Sequence, residues 1–212
     1  LTMTIPLTLV SFTLAMVLAV AVALVQSAKV PVLSQLARFY IWVIRGTPLL
    51  VQLSIIYFGL FQFINLPRYL LFGFIAINRF VPGVVALALN SSAYVAEIFR
   101  AGILAVDKGQ TEAARSLGLS QWQAMKLVVL PQAIKNVLPA LANEVVTMVK
   151  ESSICSTLGM AEVMYAAQTV SGTSYITLAP YVFAAIIYFC INYPASKAIE
   201  AIERRMRRGD KQ

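Results

Sequence analysis

Apolar residues run in long stretches along this chain, separated by short polar segments. The first stretch carries no charged side chain from Leu1 to Ala28. A helix needs about 20 apolar residues to cross a bilayer, whereas a core helix seldom holds more than about 14 in a row. The stretch is too long for the apolar region of a signal peptide, and no basic residue precedes it. It therefore predicts a membrane-spanning helix, and because the chain opens at Leu1 we expect a short N-terminal piece to precede it.

The same hydropathy pattern predicts about five spanning helices in one all-α, polytopic domain over residues 1–212. They cover approximately residues 5–26, 48–64, 81–99, 128–148 and 178–194. Between the first two, apolar residues recur at helical spacing, which predicts an amphipathic helix near the membrane interface. These residues are Leu33, Leu36, Ala37, Tyr40, Ile41 and Ile44.

Composition and charge support the membrane assignment and predict an orientation. Hydrophobic residues make up 59% of the chain and charged residues 12%, and the net charge is +8. Lysine and arginine collect on one side of the predicted spans if the C-terminus is cytoplasmic, which also places the N-terminus outside. The basic residues flank apolar spans, so anionic lipid headgroups rather than nucleic acid are their expected neighbours. The basic tail over about residues 197–212 is expected to be a helix close to the membrane.

The predicted cytoplasmic loop over about residues 107–126 has the signals of two short helices. Thr111 is positioned to cap the first helix, and Glu112 suits the positive end of its dipole. Gly118 is expected to end that helix, and Ser120 with Gln123 has the spacing of a capping box for the second. Two short helices around a glycine are able to dock in a groove of another protein, although an ordinary interhelical loop has the same local signals.

Four segments resemble one family of transport proteins. Glu112-Ala113-Ala114, then Gly118 and Val128 with Leu130-Pro131, is similar to the EAA signature of ABC importer permeases. The family usually has isoleucine where this chain has Val128. Three other segments resemble the polar amino acid branch of that family. They are Arg45-Gly-Thr-Pro-Leu-Leu-Val-Gln52, Ala93-Tyr-Val-Ala-Glu-Ile-Phe-Arg100 and Val149-Lys-Glu-Ser-Ser153.

The resemblance implies a multi-pass permease of the type I importer fold in the bacterial inner membrane. Its expected partners are a second permease, two cytoplasmic ATPase subunits and an extracytoplasmic solute-binding protein. ATP and Mg are expected on the ATPases, with no cofactor on this chain, which has no phosphate-binding Gly-x-x-x-x-Gly-Lys-Ser/Thr motif. The residues expected to contact the ATPases are Thr111, Glu112, Ala113, Ala114, Leu117 and Gly118.

Ionisable residues at membrane depth usually face a water-filled cavity or a partner. Glu144 and Glu151 lie seven residues apart on one predicted helix face, with Thr147 and Met148 between them. Asn90, Ser91 and Tyr94 add polar groups on the third span, and the family resemblance points to the same two helices. We expect these seven side chains to bind an amino acid, with the glutamates facing its ammonium group or a basic side chain.

Other interpretations of these polar residues remain open. Glu151 also suits an ion pair with Lys150 at the outer interface, Ser91 and Ser92 suit a bond between helices, and Glu97 with Arg100 suits a structural pair. Some members of the family have a substrate cavity in only one of two permeases. The sequence does not distinguish a homodimer from a heterodimer, or basic amino acids from glutamine, glutamate or cystine.

Two other classes of protein compete with the ATP-driven permease. A secondary transporter or channel driven by an ion gradient explains the spans and the glutamates, but not the cytoplasmic loop. A membrane enzyme needs a nucleophile with a base, or a metal cluster. The chain has no histidine, and its acidic residues form no metal-type grouping, so no catalytic or metal-binding residue is predicted. Cys155 and Cys190 are expected to be free thiols.

Overall fold

A computed structural model describes residues 1–27, 30–64 and 66–209, with side chains as far as residue 206. In these ranges the chain is helical, apart from one hairpin with strands of two residues each. The main helices are α1 (Thr4–Ser27), α2 (Pro31–Gly46), α3 (Leu49–Ser54), α4 (Ile77–Leu104), α5 (Lys108–Ser116), α6 (Gln121–Ala124), α7 (Leu130–Glu151), α8 (Val163–Ser174) and α9 (Ala179–Gly209). The hairpin pairs β1 (Leu70–Leu71) with β2 (Ile75–Ala76) in antiparallel register.

Within the described ranges, four helical segments are long and apolar enough to cross a membrane. They are Thr4–Ser27, Ile77–Leu104, Gln121–Leu158 and Ala179–Met206, and a fifth arises if the bent pair α2 and Leu49–Phe63 forms one span. The second, third and fourth of these are clearly longer than predicted. In the third, π-helical and 3-10 turns extend α7 at both ends, and in the fourth α9 continues into the basic tail, as its charge pattern predicts.

The chain bends by 108° between α2 and α3, at Gly46-Thr47-Pro48. Thr47 is extended, with φ −122° and ψ 146°, because a following proline disfavours the helical conformation. The Gln52 side-chain amide stabilises the bend from the other side. It donates to the Ile44 carbonyl at 2.7 Å, and to the carbonyl and hydroxyl oxygens of Thr47 at 3.0 and 2.8 Å. The predicted amphipathic helix and second span are thus two arms of one bent segment.

The core is built around α4, which packs along α1 and α7. Ala19, Ala93 and Ala96 are fully buried where α1 crosses α4, and such small residues let helix backbones approach closely. At the other end of α4, Met148 of α7 is fully buried in an apolar cluster. The other buried members of this cluster are Met3, Leu7, Leu53, Ile75, Val84, Ala86, Leu87, Cys155, Leu158 and Met160.

Helix α8 is absent from the sequence-based prediction because its 12 residues are too few to span a bilayer. Glu162 caps it, accepting from the backbone amides of Met164 at 2.9 Å and Tyr165 at 2.6 Å. The Tyr188 hydroxyl of α9 donates to the same carboxylate at 2.6 Å. Glu162 is only 2% exposed, so it ties α8 to α9 through a satisfied buried charge.

Candidate functional site

The connection between α4 and α7 forms a compact, exposed unit. Asp107 caps α5, its side chain accepting from the Gly109 amide at 2.6 Å. Gly118 has φ +87°, the left-handed conformation that ends many helices, as predicted. The predicted capping box is also present, because the Ser120 hydroxyl accepts from the Gln123 amide and the Gln123 side chain accepts from the Ser120 amide.

Two expectations for this loop are wrong in detail. Thr111 does not cap α5, which begins one turn earlier because Asp107 already supplies the capping carboxylate. Ala114, expected among the residues that contact the ATPases, is only 4% exposed and packs inward, so it has little surface for such a contact. The exposed face of the unit instead carries Glu112, Ala113 and Leu117, the last with 84% of its surface accessible.

The loop is fixed to the helices that it joins. Val106, Val129 and Ala133 form a small buried cluster beneath it, with Met125 packed against them. One helical turn before Val106, at Gly102, α4 and α7 are so close that a Cβ on Gly102 would collide with Val137 Cγ1. The loop therefore starts and ends on helices that pack closely against each other.

At membrane depth, α4 and α7 are joined by a polar contact. The Ser91 hydroxyl donates to Glu144 Oε1 at 2.7 Å, with Ser91 fully buried and Glu144 half-buried. Thr147 and Glu151, one and two turns further along α7, are also half-buried. Of the seven expected substrate residues, these four lie along one α4–α7 surface.

The other three expected substrate residues lie elsewhere. Met148 is a core residue with no exposed surface, which corrects its placement on a cavity wall. Asn90 is 3% exposed, and its amide donates to Gln52 Oε1 at 2.9 Å, so it joins α4 to the bend. Tyr94 lies under the Arg45 guanidinium, 5.4 Å from its ring centroid, in a separate cavity.

Sequence reasoning missed Gln52 as a structural centre of the site. Its side chain connects the α2–α3 bend to Asn90, which precedes the Ser91–Glu144 contact by one residue. A glutamine within the apolar run 49–64 is the available signal, since an amide at membrane depth needs partners. The Ser92 hydroxyl lies 2.7 Å from the Tyr40 hydroxyl and so joins α4 to α2. This is the bond between helices that one interpretation of Ser92 predicted.

Comparison with known proteins agrees with this arrangement. Residues 11–208 match the family described as the binding-protein-dependent transport system inner membrane component. The chain is 40% identical over 210 residues to the arginine transport system permease protein ArtQ of Bacillus subtilis, covering 99% of this chain and 92% of that protein. It is 42% identical over 203 residues to a putative glutamine transport system permease protein of Rickettsia prowazekii, covering 96% and 89%.

Solved structures show the same fold. A crystal structure of an amino acid ABC transporter with histidines superimposes with a TM-score of 0.88 at 47% identity, covering 97% of this chain and 91% of that one. The MetNI methionine ABC transporter in an inward-facing conformation gives a TM-score of 0.74 at 18% identity, covering 96% and 92%, which supports the fold alone.

These matches extend over nearly the whole chain, and the apolar helices agree with a multi-pass inner membrane location. Permeases of ABC systems work with ATPase subunits and a second permease, so this chain is one part of a larger transporter. The chain belongs to the family of inner membrane components of binding-protein-dependent transport systems.

Proposed function

We propose that this chain is the permease of an ATP-driven importer for a polar amino acid with a cationic group. It forms the pathway with a second permease and receives solute from an extracytoplasmic binding protein. The names of the arginine and octopine transport permeases among its relatives support a cationic solute, and the name of the glutamine transport permease supports a polar amino acid. The N-terminus lies outside, and the C-terminus and the loop over residues 107–126 lie in the cytoplasm, as the positive charges favour.

The observation that carries this proposal is the rigid, exposed unit between α4 and α7. Helix α5 is capped at both ends and has Glu112 and Ala113 on its exposed side, with Leu117 exposed at its end, while Val106 and Val129 pack together where the loop joins the spanning helices. Each ATPase subunit accepts α5 in a groove, and closure of the ATPases on ATP moves α4 and α7 together. The coupling is thus a rigid-body change between two packed states.

Solute meets the α4–α7 surface halfway through the membrane. Among the described residues, the Glu144 carboxylate accepts from one neutral donor, the Ser91 hydroxyl at 2.7 Å, which leaves its negative charge available to a ligand. A half-buried carboxylate at this depth is costly unless a cation or water compensates it. An ammonium or guanidinium group fits this requirement, and Thr147 and Glu151 extend the polar surface along α7.

The proposal is tested by reconstituting the permease with its ATPase and binding protein and measuring ATP hydrolysis with a panel of amino acids. Cationic amino acids are expected to stimulate hydrolysis, and Ala113→Arg to abolish both stimulation and copurification of the ATPase. Ala201→Arg, at an exposed alanine of α9, is the matched control and should leave both unchanged. Stimulation by acidic amino acids alone, or uptake driven by an ion gradient without ATPase, would overturn the proposal.

A further inference from the structure

A cavity of about 1050 Å³ lies where the end of α1, the second half of α2 and the end of α4 meet. It is separate from the Ser91–Glu144 contact and is strongly charged. Among the described residues that line it, Arg38, Arg45 and Arg100 accompany a single acid, Glu97. Three positive charges and one negative charge leave an excess of two positive charges in the cavity.

The single acid is already occupied. Arg100 donates to both Glu97 oxygens, from Nε at 3.0 Å and from Nη2 at 2.8 Å, and Arg45 Nη1 lies 3.5 Å from Oε2. Arg38 bonds to neutral groups, with Nε donating to the Ser34 carbonyl at 3.2 Å and Nη2 to the Ser34 hydroxyl at 3.4 Å. The guanidinium groups of Arg38 and Arg45, the latter with a side chain 43% exposed, remain accessible to an anion.

The surroundings indicate where that anion comes from. Trp42 lies between Arg38 and Arg45 on α2, lines the cavity and has 74% of its surface accessible. Exposed tryptophan beside arginine, at the ends of spanning helices, is typical of the headgroup layer of a membrane. Ile103 and Leu104 close the same cavity at the end of α4 with apolar surface, as acyl chains require.

We propose that this cavity binds the phosphate headgroup of an anionic phospholipid. The N–H donors of a guanidinium group match the spacing of the oxygens of a phosphate. Two such groups, those of Arg38 and Arg45, are accessible in this cavity. Basic pockets between spanning helices bind anionic headgroups in this way. The inference goes beyond amino acid transport and depends only on the location of the chain in a membrane.

The position of the cavity gives the lipid a mechanical role. Arg45 directly precedes the bend at Gly46-Thr47-Pro48, and Arg100 lies about one turn before the end of α4, close to the coupling loop. A phosphate bound by Arg38 and Arg45 draws α2 towards α4, where Arg45 already contacts Tyr94 and Glu97. The lipid therefore stabilises one relative position of the two helices.

The test is native mass spectrometry of the assembled transporter after equilibration in mixed micelles of phosphatidylglycerol and phosphatidylcholine. The wild-type complex is expected to retain phosphatidylglycerol selectively. Arg38→Gln should lower its occupancy about fivefold, the effect of one basic side chain at a membrane surface, and Arg38→Lys should recover only part of that loss, because lysine keeps the charge without the guanidinium fork. Arg205→Gln removes an equal charge from the exposed tail and should have no such effect.

Each result decides the matter. Equal retention of the two lipids by the wild type, or an equal loss in Arg205→Gln and Arg38→Gln, would overturn the proposal, and the wild-type result stands even if a variant does not assemble. Displacement of the lipid by inorganic phosphate or glycerol phosphate at similar concentrations would show a site for soluble phosphate and also overturn it. Copurification of the ATPase in the same samples shows whether the transporter has assembled, so loss of lipid can be told apart from loss of assembly.

Discussion

The Glu144 side chain has two candidate roles, one in packing α4 against α7 and one in binding solute. Its carboxylate is half-buried on a spanning helix, and its hydrogen bond comes from the neutral hydroxyl of Ser91. A structural role would need that bond to hold α4 against α7. A binding role needs the negative charge. The two roles make different predictions for a substitution that keeps the shape and removes the charge.

Glu144→Gln is expected to reduce stimulation by cationic amino acids at least about tenfold, because a charge-assisted hydrogen bond contributes about 1.5–3 kcal/mol. The amide still accepts from Ser91, so assembly with the ATPase should be preserved. The measurement is the concentration of solute-loaded binding protein giving half-maximal ATP hydrolysis. Glu200→Gln, on the exposed part of α9, is the control. An unchanged Glu144→Gln transporter would contradict the binding role.

Gly118 is a second residue with a specific conformational role. Its φ of +87° is strained for any residue with a Cβ, although no atom lies within 4 Å of that position. Gly118→Ala is expected to destabilise the end of α5 by about 1–2 kcal/mol and to weaken copurification of the ATPase. Gly172→Ala in α8 also meets no atom within 4 Å and should leave the association intact. Equal effects of both variants would contradict this assignment.

At the level of elements, features that depend on neighbouring residues could be predicted from the sequence, whereas contacts between distant residues could not. The glycine at Gly118 and the Ser120–Gln123 capping box depend on neighbouring residues, and both are confirmed. The prediction that Thr111 caps α5 is wrong because Asp107, four residues earlier, is also a residue type that caps helices, and the helix begins after it. Local pattern alone does not choose between two capping residues in adjacent turns.

The candidate substrate surface shows the limit of periodicity. Spacing placed Glu144, Thr147 and Glu151 on one side of α7, where all three are half-buried, and it placed Met148, one turn after Glu144, on the same side. It did not show that Met148 faces the core formed with Leu53 and Leu87, because that depends on where α3 and α4 pack. The Asn90–Gln52 bond joins residues 38 positions apart, so the sequence indicates that Gln52 needs a partner but not which residue supplies it.

The close packing of α4 and α7 leads to a prediction about these two elements. In Gly102→Ala, the added Cβ would collide with Val137 Cγ1, so the helices must separate or Val137 must change rotamer. Overpacking of this kind costs about 1–3 kcal/mol, and we expect a lower thermal unfolding temperature with weaker coupling of ATP hydrolysis to transport.

The double variant Gly102→Ala with Val137→Ala makes room for the methyl group and is expected to recover much of the lost stability. Gly59→Ala is the single-site control, since its Cβ would meet only Ile55 Cγ2 at 3.9 Å. Non-recovery in the double variant, with full stability in the control, would show that Gly102 acts through another contact.

The whole molecule joins a membrane bundle to a small exposed coupling unit. The polar contact Ser91–Glu144 joins α4 to α7, and the unit at α5 connects the same two helices, so the proposed solute surface and the proposed ATPase contact share one helix pair. The bent segment of α2 and α3 is tied to α4 through Gln52, which bonds to Asn90, and Arg45, which pairs with Glu97. The fold therefore provides a continuous path between the proposed solute surface and the proposed motor.

The most direct test of this account is a crosslink at α5. In a permease carrying Ala113→Cys with Cys155→Ala and Cys190→Ser, the single thiol lies on the exposed face of α5. We predict a disulfide to cysteines placed in the groove of the ATPase subunit, formed in the assembled transporter and absent with Ala201→Cys in the same background. Labelling of the Ala113→Cys thiol by an impermeant reagent from the outer face of sealed, right-side-out vesicles, with no ATPase crosslink, would contradict the account.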